Sequence, residues 1–144
     1  MNPPRSKTTI VLAEDNPAML EEVSRFLQNH FDVIATVSNG ALAVQTVVEL
    51  QPDVVVLDVA MPVMGGIEAA RKIRRMDLPT KVIFLSIQRD RDYVEAAAEM
   101  GASYVLKSQM RSDLLTAINE TLAGREFVSP FHETLTTQPE GITP

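Results

Sequence analysis

Five side chains capable of metal or phosphate chemistry lie directly after short apolar segments of this sequence. They are two adjacent carboxylates, Glu14 and Asp15, a third carboxylate, Asp58, the hydroxyl of Ser86 and the ammonium group of Lys107. Carboxylates that converge at one site repel each other unless a cation offsets their charge. Oxygen ligands without His or Cys favour a hard cation, and Mg²⁺ typically takes one or two carboxylates together with waters and phosphate oxygens. If the fold brings these positions together, they predict a Mg²⁺-assisted phosphate site.

Asp58 has the most informative position of the five. It directly ends the most apolar segment, so we expect the fold to hold its carboxylate rigidly. Such a carboxylate can attack phosphorus and form an acyl phosphate, as aspartate does in some ATPases. Lys107 would supply a point charge for a phosphoryl oxygen, and Ser86 a small hydrogen-bonding hydroxyl. Taken singly, these residues are also typical of helix caps, turns and solvated surfaces; only their joint occurrence indicates a site.

Alternating strand and helix patterns supply the elements that must position these residues. The runs at residues 10–13, 54–57 and 82–85 are continuously apolar and rich in β-branched residues. This is typical of strands that are covered on both faces of a parallel sheet. Residues 33–37 and 104–106 are weaker strand candidates.

Helical patterns of apolar residues lie between the strands. Asn16 and Pro17 open the first helix as its N-cap and first helical residue, and Gly101 and Gly124 are placed to end the fourth and fifth helices. The other predicted helices cover residues 40–50, 66–76, 90–100 and 112–123.

Five successive β–α units predict one α/β domain, a parallel sheet with helices on both faces. In such a sheet, ligands bind outside the carboxyl ends of the strands, where the strand order reverses. All five candidate residues follow strands and are therefore expected at this edge.

Composition excludes several other functions. The chain has 144 residues, a net charge of −6 and no Cys, and single cores commonly close at about this length. The negative charge argues against direct binding of nucleic acid, and the lack of Cys excludes disulfides, thiolate metal sites and Cys nucleophiles. The N-terminus lacks the apolar run of a signal peptide, and no segment is long enough to span a membrane. We therefore expect a soluble, cytoplasmic protein without a membrane partner.

Four motifs together resemble the receiver domain of two-component response regulators. They are residues 10–16 (IVLAEDN), 57–66 (LDVAMPVMGG), 85–86 (LS) and 101–107 (GASYVLK). The resemblance covers residues 8–124 and implies a flavodoxin-like (βα)5 fold with a parallel sheet of order 2-1-3-4-5. Residues 1–7 would be an N-terminal extension, and residues 125–144 a C-terminal tail or linker.

The resemblance also implies a role for each acidic residue. Asp58 would be the phosphoacceptor, receiving a phosphoryl group from a sensor histidine kinase. Glu14 and Asp15 would bind Mg²⁺, together with Asp58 and the backbone carbonyl of Ala60.

The resemblance further implies how phosphorylation is read. Ser86 would contact the phosphoryl group, Lys107 would pair with it, and Tyr104 would be an aromatic switch that repacks when Ser86 moves. The affected surface would comprise the fourth helix, fifth strand and fifth helix. This α4-β5-α5 surface, or the α1-α5 face of the first and fifth helices, is the candidate homodimer contact.

Two positions differ from the usual family pattern. Ile87 stands where a small residue, often Ala, is usual next to the switch hydroxyl, and Ala60 has no polar side chain to orient an attacking water. We therefore expect slow self-dephosphorylation.

The closest pattern within the family is that of regulators with a LuxR-type helix-turn-helix output domain. This chain contains no such DNA-binding domain. Residues 125–144 would then be a connector toward an output domain that is absent from this chain and controls transcription. A stand-alone receiver is the alternative.

Three other kinds of protein share parts of the pattern. A haloacid-dehalogenase-type phosphatase also uses a strand-end Asp with Mg²⁺, but it would need a second Asp where Ala60 stands. A flavodoxin-like nucleotide- or flavin-binding protein would need a phosphate-cradling loop after the first strand, where this chain has Glu14 and Asp15. A pseudo-receiver used only for interaction would normally lack part of the acidic set.

Overall fold

Five parallel β-strands alternate with helices in residues 7–130, the part of the chain that the computed structural model describes. The strand order is β2-β1-β3-β4-β5, which confirms the predicted flavodoxin-like (βα)5 fold. The strands are β1 (Thr9–Ala13), β2 (Asp32–Val37), β3 (Val54–Asp58), β4 (Lys81–Ser86) and β5 (Ser103–Leu106). The helices are α1 (Pro17–Gln28), α2 (Gly40–Leu50), α3 (Gly66–Arg75), α4 (Arg91–Glu99) and α5 (Met110–Leu122), and a 3₁₀ turn (Lys107–Gln109) precedes α5.

The sheet separates two hydrophobic cores. Helices α2, α3 and α4 cover one face, and α1 and α5 cover the other. Every residue of the central strand β3 is buried, which explains its unbroken apolar sequence. Full burial of a Val or Leu side chain contributes about 1.5–3 kcal/mol, so this strand is the rigid support for the Asp58 that ends it.

The register of the strands aligns the residues that follow them. Ala13 pairs with Leu57, and Asp58 pairs with Leu85 in the next strand. Ser86 in turn pairs with Leu106, the last residue of β5. The carboxyl ends of β1, β3, β4 and β5 therefore lie side by side at one edge of the sheet.

The predicted cap of the first helix is confirmed, and the second helix has a cap of the same kind. The Asn16 side chain accepts a hydrogen bond from the Met19 N–H at 3.0 Å, and the Asn39 side chain accepts one from the Leu42 N–H at 2.9 Å. Gly101 follows α4 in the left-handed region, at a φ of 68°, and this backbone conformation ends the helix as predicted.

The predicted start of α5 at residue 112 is wrong, because the helix begins at Met110. The 3₁₀ turn leads directly into it, so Ser112 lies inside the first turn, where its hydroxyl donates to the Gln109 carbonyl at 3.1 Å. Met110 is buried in the core between α1, α5 and the sheet. Tertiary packing of Met110 therefore accounts for the earlier start of the helix.

Residues 127–129, which we call the strap, run beside β5 instead of leaving the domain. The Tyr104 N–H donates to the Phe127 carbonyl at 2.8 Å, and the Ser129 N–H donates to the Tyr104 carbonyl at 2.9 Å. The pairing is parallel. The beginning of the predicted tail thus packs on the sheet, while residues 1–6 and 131–144, most of both predicted terminal segments, lie outside the described residues.

Within residues 7–130, none of the helices has the length and apolar character needed to cross a membrane.

Candidate functional site

Asp58 lies at the carboxyl end of β3 and is almost fully buried, with 3% of its surface exposed. Its Oδ1 accepts a hydrogen bond from the Ala60 N–H at 3.3 Å. Its Oδ2 lies 3.2 Å from the Nζ of Lys107. The carboxylate is thus held from two sides at the floor of an open cavity.

The three predicted acidic residues come together at this edge. One carboxylate oxygen from each of Glu14, Asp15 and Asp58 lies within 4.8 Å of the others. Glu14 is buried, and its Oε2 accepts the Asn16 N–H at 3.0 Å, whereas Asp15 is exposed. The cluster therefore has a buried side that the protein supports and an open side that faces solvent.

Lys107 is the cation that the described part of the chain places in this cluster. Its Nζ lies 2.8 Å from Oε1 of Glu14 as well as 3.2 Å from Asp58, and its side chain is 10% exposed. Burial acts to lower the pKa of Lys107, but the carboxylates of Glu14 and Asp58 outweigh it, so this pKa is raised. Lys107 therefore stays charged beside Asp58.

One ammonium group does not neutralise three carboxylates. Burial, reinforced by the negative charge of Glu14, raises the pKa of Asp58 from 3.8 to about 7, although Lys107 opposes this rise. Without a further cation, Asp58 is therefore only partly ionised at neutral pH.

The residues present fit a Mg²⁺ ion. All side-chain donors are carboxylate oxygens, which a hard cation prefers. Within residues 7–130, Oε1 of Glu14 is a buried atom without a well-directed hydrogen bond, since its contact with Lys107 is an ion pair alone. Glu14, Asp15 and Asp58, with the backbone carbonyl of Ala60, are the groups that would hold the ion.

Ser86 and Tyr104, the predicted switch pair, meet at one backbone carbonyl. The Ser86 hydroxyl donates to the Gln88 carbonyl at 2.9 Å, and the Tyr104 hydroxyl donates to the same oxygen at 2.9 Å. Both side chains are buried, and burial raises the pKa of Tyr104. The loop after β4 therefore connects the two residues.

The cavity above Asp58 has a volume of about 750 Å³. Glu14, Asp15, Ser86 and Lys107 line it together with Asp58. Five of the six predicted side-chain positions therefore share one cavity, and Tyr104 joins them through Gln88. Their individual roles stay predictions at this point.

The two unusual residues of the sequence lie at this cavity as well. Ile87, which directly follows Ser86, lines the cavity and is 76% exposed, so its side chain lies at the rim and not on the floor. Ala60 also lines the cavity, and its side chain is a methyl group without a hydrogen-bonding atom.

A tightly packed loop between β3 and α3 shapes the cavity wall. A Cβ on Gly66 would lie 2.3 Å from the Asp58 carbonyl oxygen, and one on Gly40 would lie 2.3 Å from the Met64 carbonyl oxygen. Both positions thus require glycine. Val63, in the same loop, has a φ of 68° and is 83% exposed; a β-branched residue in the left-handed region is strained.

Sequence reasoning missed Gln88 and the contact made by Gly66. Gln88 contributes a backbone carbonyl, which every residue type has, so no sequence signal identifies it. Gly66 had a usable signal, because it follows Gly65 at the start of a helix, where a residue without a side chain is unusual.

Comparisons with known proteins agree with this geometry. Residues 10–119 match the family model described as the response regulator receiver domain. The probable transcriptional regulatory protein NarL of Mycobacterium tuberculosis is 32% identical over 132 residues, which cover 90% of this chain and 61% of that protein. The chemotaxis protein CheY of Bacillus subtilis is 33% identical over 115 residues, covering 78% of this chain and 96% of CheY.

A solved structure is similar throughout the described fold. The crystal structure of a LuxR-family two-component response regulator from Aurantimonas sp. SI85-9A1 superposes with a TM-score of 0.80 at 34% identity, covering 87% of this chain and 91% of that one. Relative to the full length of NarL, however, this chain spans only about three fifths.

Proposed function

Because this chain belongs to the response regulator receiver domain family, a family of signalling domains, we propose that it is a phosphorylation-dependent switch whose phosphoacceptor is Asp58. The donor would be a sensor histidine kinase. The observation that carries the proposal is the placement of Asp58 at the end of a fully buried strand, beside Lys107 and two further carboxylates, on the floor of an open cavity.

The side chains of the site support phosphoryl transfer in a direct way. A carboxylate oxygen of Asp58 forms the new bond to phosphorus, the bond between phosphorus and the donor breaks, and the leaving group takes the electron pair. The Lys107 ammonium, fixed within 3.2 Å of Asp58, stabilises negative charge on the transferred group. Mg²⁺, held by Glu14, Asp15, Asp58 and the Ala60 carbonyl, would offset the remaining charge.

Ser86 and Tyr104 are proposed to report the phosphorylated state. The Ser86 hydroxyl can bond either the Gln88 carbonyl, as it does here, or a phosphoryl oxygen. In the second case the Gln88 carbonyl loses the hydrogen bond from Ser86 and retains the one from Tyr104. The resulting change would reach the α4-β5-α5 surface through Tyr104, which is buried in β5.

The output is proposed to be transcription control through a domain that is absent from this chain. NarL, to which the chain is similar, is a probable transcriptional regulatory protein, and the chain spans 61% of its length. CheY supports the alternative of a stand-alone receiver, since the chain spans 96% of it. In either case we propose a cytoplasmic protein, with a homodimer contact on the α4-β5-α5 or the α1-α5 surface.

The chain is not proposed to be a turnover phosphatase. Ala60, two residues after Asp58, has no group that could act as a general acid or base. Incubation with a chromogenic phosphate ester should therefore give no multiple turnover.

The test is intact-mass measurement after incubation with acetyl phosphate and Mg²⁺. We expect one phosphoryl adduct, which is lost in Asp58→Ala and after removal of Mg²⁺ with EDTA. Asp32→Ala, which removes an exposed carboxylate on β2, is the matched control and should keep the adduct. An adduct that persists in Asp58→Ala would overturn the assignment of the phosphoacceptor.

A further inference from the structure

Ser129 anchors the strap to β5 and to α5 at the same time. It is 1% exposed. Its hydroxyl accepts the Leu106 N–H at 3.0 Å and donates to the carboxylate of Asp113 at 2.8 Å. At the other end of the strap, the Phe127 N–H donates to the hydroxyl of Ser103 at 2.9 Å. The strap thus occupies the hydrogen-bonding groups at the edge of β5, an edge that would otherwise be open to pairing.

Little apolar surface holds the strap in place. Phe127 packs only partly buried against the α1–α5 core, and Val128 is 36% exposed. Pro130 has no N–H and cannot continue the pairing. Segments held by a few hydrogen bonds and one apolar side chain open at a much lower free energy than the whole domain. The strap can therefore undock while the sheet stays folded.

Tyr104 connects the strap to the switch residues. Its backbone N–H and carbonyl both bond the strap, and its side-chain hydroxyl shares the Gln88 carbonyl with Ser86. A change in this shared contact therefore acts on the strand residue to which the strap is attached.

Lys107 makes a second connection. It directly follows Leu106, whose N–H is bound by Ser129. Its side chain is 10% exposed and already lies against Asp58 and Glu14. The ammonium group therefore has little room to move without moving the backbone of Lys107. A pull on its ammonium group is therefore passed to the end of β5.

We propose that the strap is a latch which modification of Asp58 releases, an inference that rests on the proposed function of Asp58. Anionic oxygens added at Asp58 attract Lys107 and draw Ser86 away from Gln88. The first movement shifts the end of β5 toward the cavity, and the second changes the contact of Tyr104 with Gln88. Together they weaken the bond between Leu106 and Ser129. Since residues 131–144 follow the strap in the sequence, its release removes the attachment to β5 that precedes them.

Coupling between two sites is reciprocal. If an anionic group at Asp58 favours the undocked strap, then a variant with a weakened strap must bind that group more tightly, by up to the same factor when the strap is fully undocked. Substitution of a residue with a merely structural role would instead leave the affinity for the anionic group unchanged or reduce it.

The first experiment uses the wild-type chain and needs no variant. Amide hydrogen exchange is measured by NMR with Mg²⁺, before and after addition of beryllium fluoride, a mimic of a phosphoryl group. We expect exchange at Tyr104, Leu106 and Ser129 to accelerate by at least about fivefold, the lower end of typical coupling. Lys81 and Gln51 are the reference and should not change. Their amides bond the carbonyls of Asp53 and Val47, which are not part of the strap.

The second experiment compares the affinity for beryllium fluoride in wild type, Ser129→Ala and Ser112→Ala. We expect Ser129→Ala to bind more tightly than wild type, by up to the factor found in the exchange experiment. Ser112→Ala is the matched control and should bind as wild type does, because the Ser112 hydroxyl bonds the same Asp113 carboxylate and the Gln109 carbonyl, neither of which belongs to the strap.

The outcomes separate this inference from the proposal on which it rests. Absence of bound beryllium fluoride in ¹⁹F NMR, together with absence of a phosphoryl adduct, would overturn both. Bound beryllium fluoride with unchanged or slower exchange in the strap would overturn the latch alone. Weaker or equal binding by Ser129→Ala would also overturn it.

Discussion

At the scale of single residues, Asp58 and Glu14 place two carboxylates below the surface with one ammonium group between them. The pKa of Asp58 is raised to about 7, first by burial and then by Glu14. A carboxyl whose pKa is higher in the folded chain than in the unfolded one does not lower the free energy of unfolding at pH values below 3.8, its pKa in the unfolded chain. The folded state then loses stability as the pH rises through about 7.

This linkage predicts that Asp58→Asn stabilises the metal-free protein at pH 8 but not at pH 3.8 or below. A shift of one pKa unit corresponds to about 1.4 kcal/mol, which gives an upper limit of about 4 kcal/mol. Because the cavity admits solvent that screens the charge, we expect about 1–3 kcal/mol. Urea unfolding in EDTA at the two pH values measures the difference.

Asp32→Asn, on exposed β2, is the control and should leave the free energy of unfolding unchanged at both pH values. A less stable Asp58→Asn at pH 8 would show that Lys107 already compensates the buried charge.

The lifetime of the phosphoryl group is also a property of single residues. Ala60 offers no hydrogen bond to an attacking water, and Ile87 stands at the cavity rim. One hydrogen bond is worth about 0.5–1.5 kcal/mol, which corresponds to roughly two- to tenfold in rate. We therefore expect Ala60→Asn to lose phosphate about two- to tenfold faster than wild type, and Ile87→Ala also to be faster.

Release of inorganic phosphate from the phosphorylated chain over time measures this. Ile34→Ala, which truncates an exposed isoleucine on β2, should decay as wild type does. Decay of wild type faster than both variants would contradict the expectation of slow self-dephosphorylation.

At the scale of elements, the loop between β3 and α3 determines where Asp58 sits. Gly66 begins α3 directly against the Asp58 carbonyl, and its N–H donates to the Val59 carbonyl at 3.0 Å. The helix can approach the strand this closely only because Gly66 has no side chain.

Gly66→Ala should therefore destabilise the domain by about 1–3 kcal/mol, the usual cost of overpacking, and should reduce phosphorylation by acetyl phosphate. Gly65→Ala is the matched control, since its Cβ would lie 3.1 Å from the Val59 carbonyl, a much milder contact. Urea midpoints and intact mass report the two effects. Equal midpoints for both variants would mean that the loop yields at Gly66 without strain.

At the scale of the whole molecule, metal binding should be linked to folding. Glu14 follows β1 and Asp58 ends β3, so their carboxylates meet only when the sheet has formed. A ligand that binds only the folded state stabilises it, by about 2.7 kcal/mol at a concentration 100 times its dissociation constant.

Mg²⁺ should therefore raise the melting temperature of wild type in a concentration-dependent manner, and Asp15→Asn should reduce this rise. Asp15 is the test position because it is exposed, so its substitution does not disturb the core. Differential scanning calorimetry measures the shift, and Asp32→Asn should respond as wild type does. A rise that is the same in Asp15→Asn would remove Asp15 from the ligand set.

The sequence by itself determined the elements and the composition of the site. Continuously apolar runs rich in β-branched residues identified β1, β3 and β4, because strands covered on both faces must be apolar throughout. Asn16 marked the start of α1 through its own side chain. The three carboxylates, Ser86 and Lys107 were found because each follows a strand, and parallel strands end at one edge.

Only the tertiary structure decided the contacts that depend on backbone atoms or on distant packing. The Gln88 carbonyl joins Ser86 to Tyr104, yet a carbonyl leaves no mark on the residue type. Met110 starts α5 early because the core on its side of the sheet accepts it. Ser129 looks like part of a linker until β5 and α5 lie beside it, since its hydroxyl bonds Leu106 and Asp113, which are 23 and 16 residues earlier in the chain. Local sequence patterns reflect contacts between residues that are near each other in the chain. The contacts above depend instead on which distant segments the fold brings together.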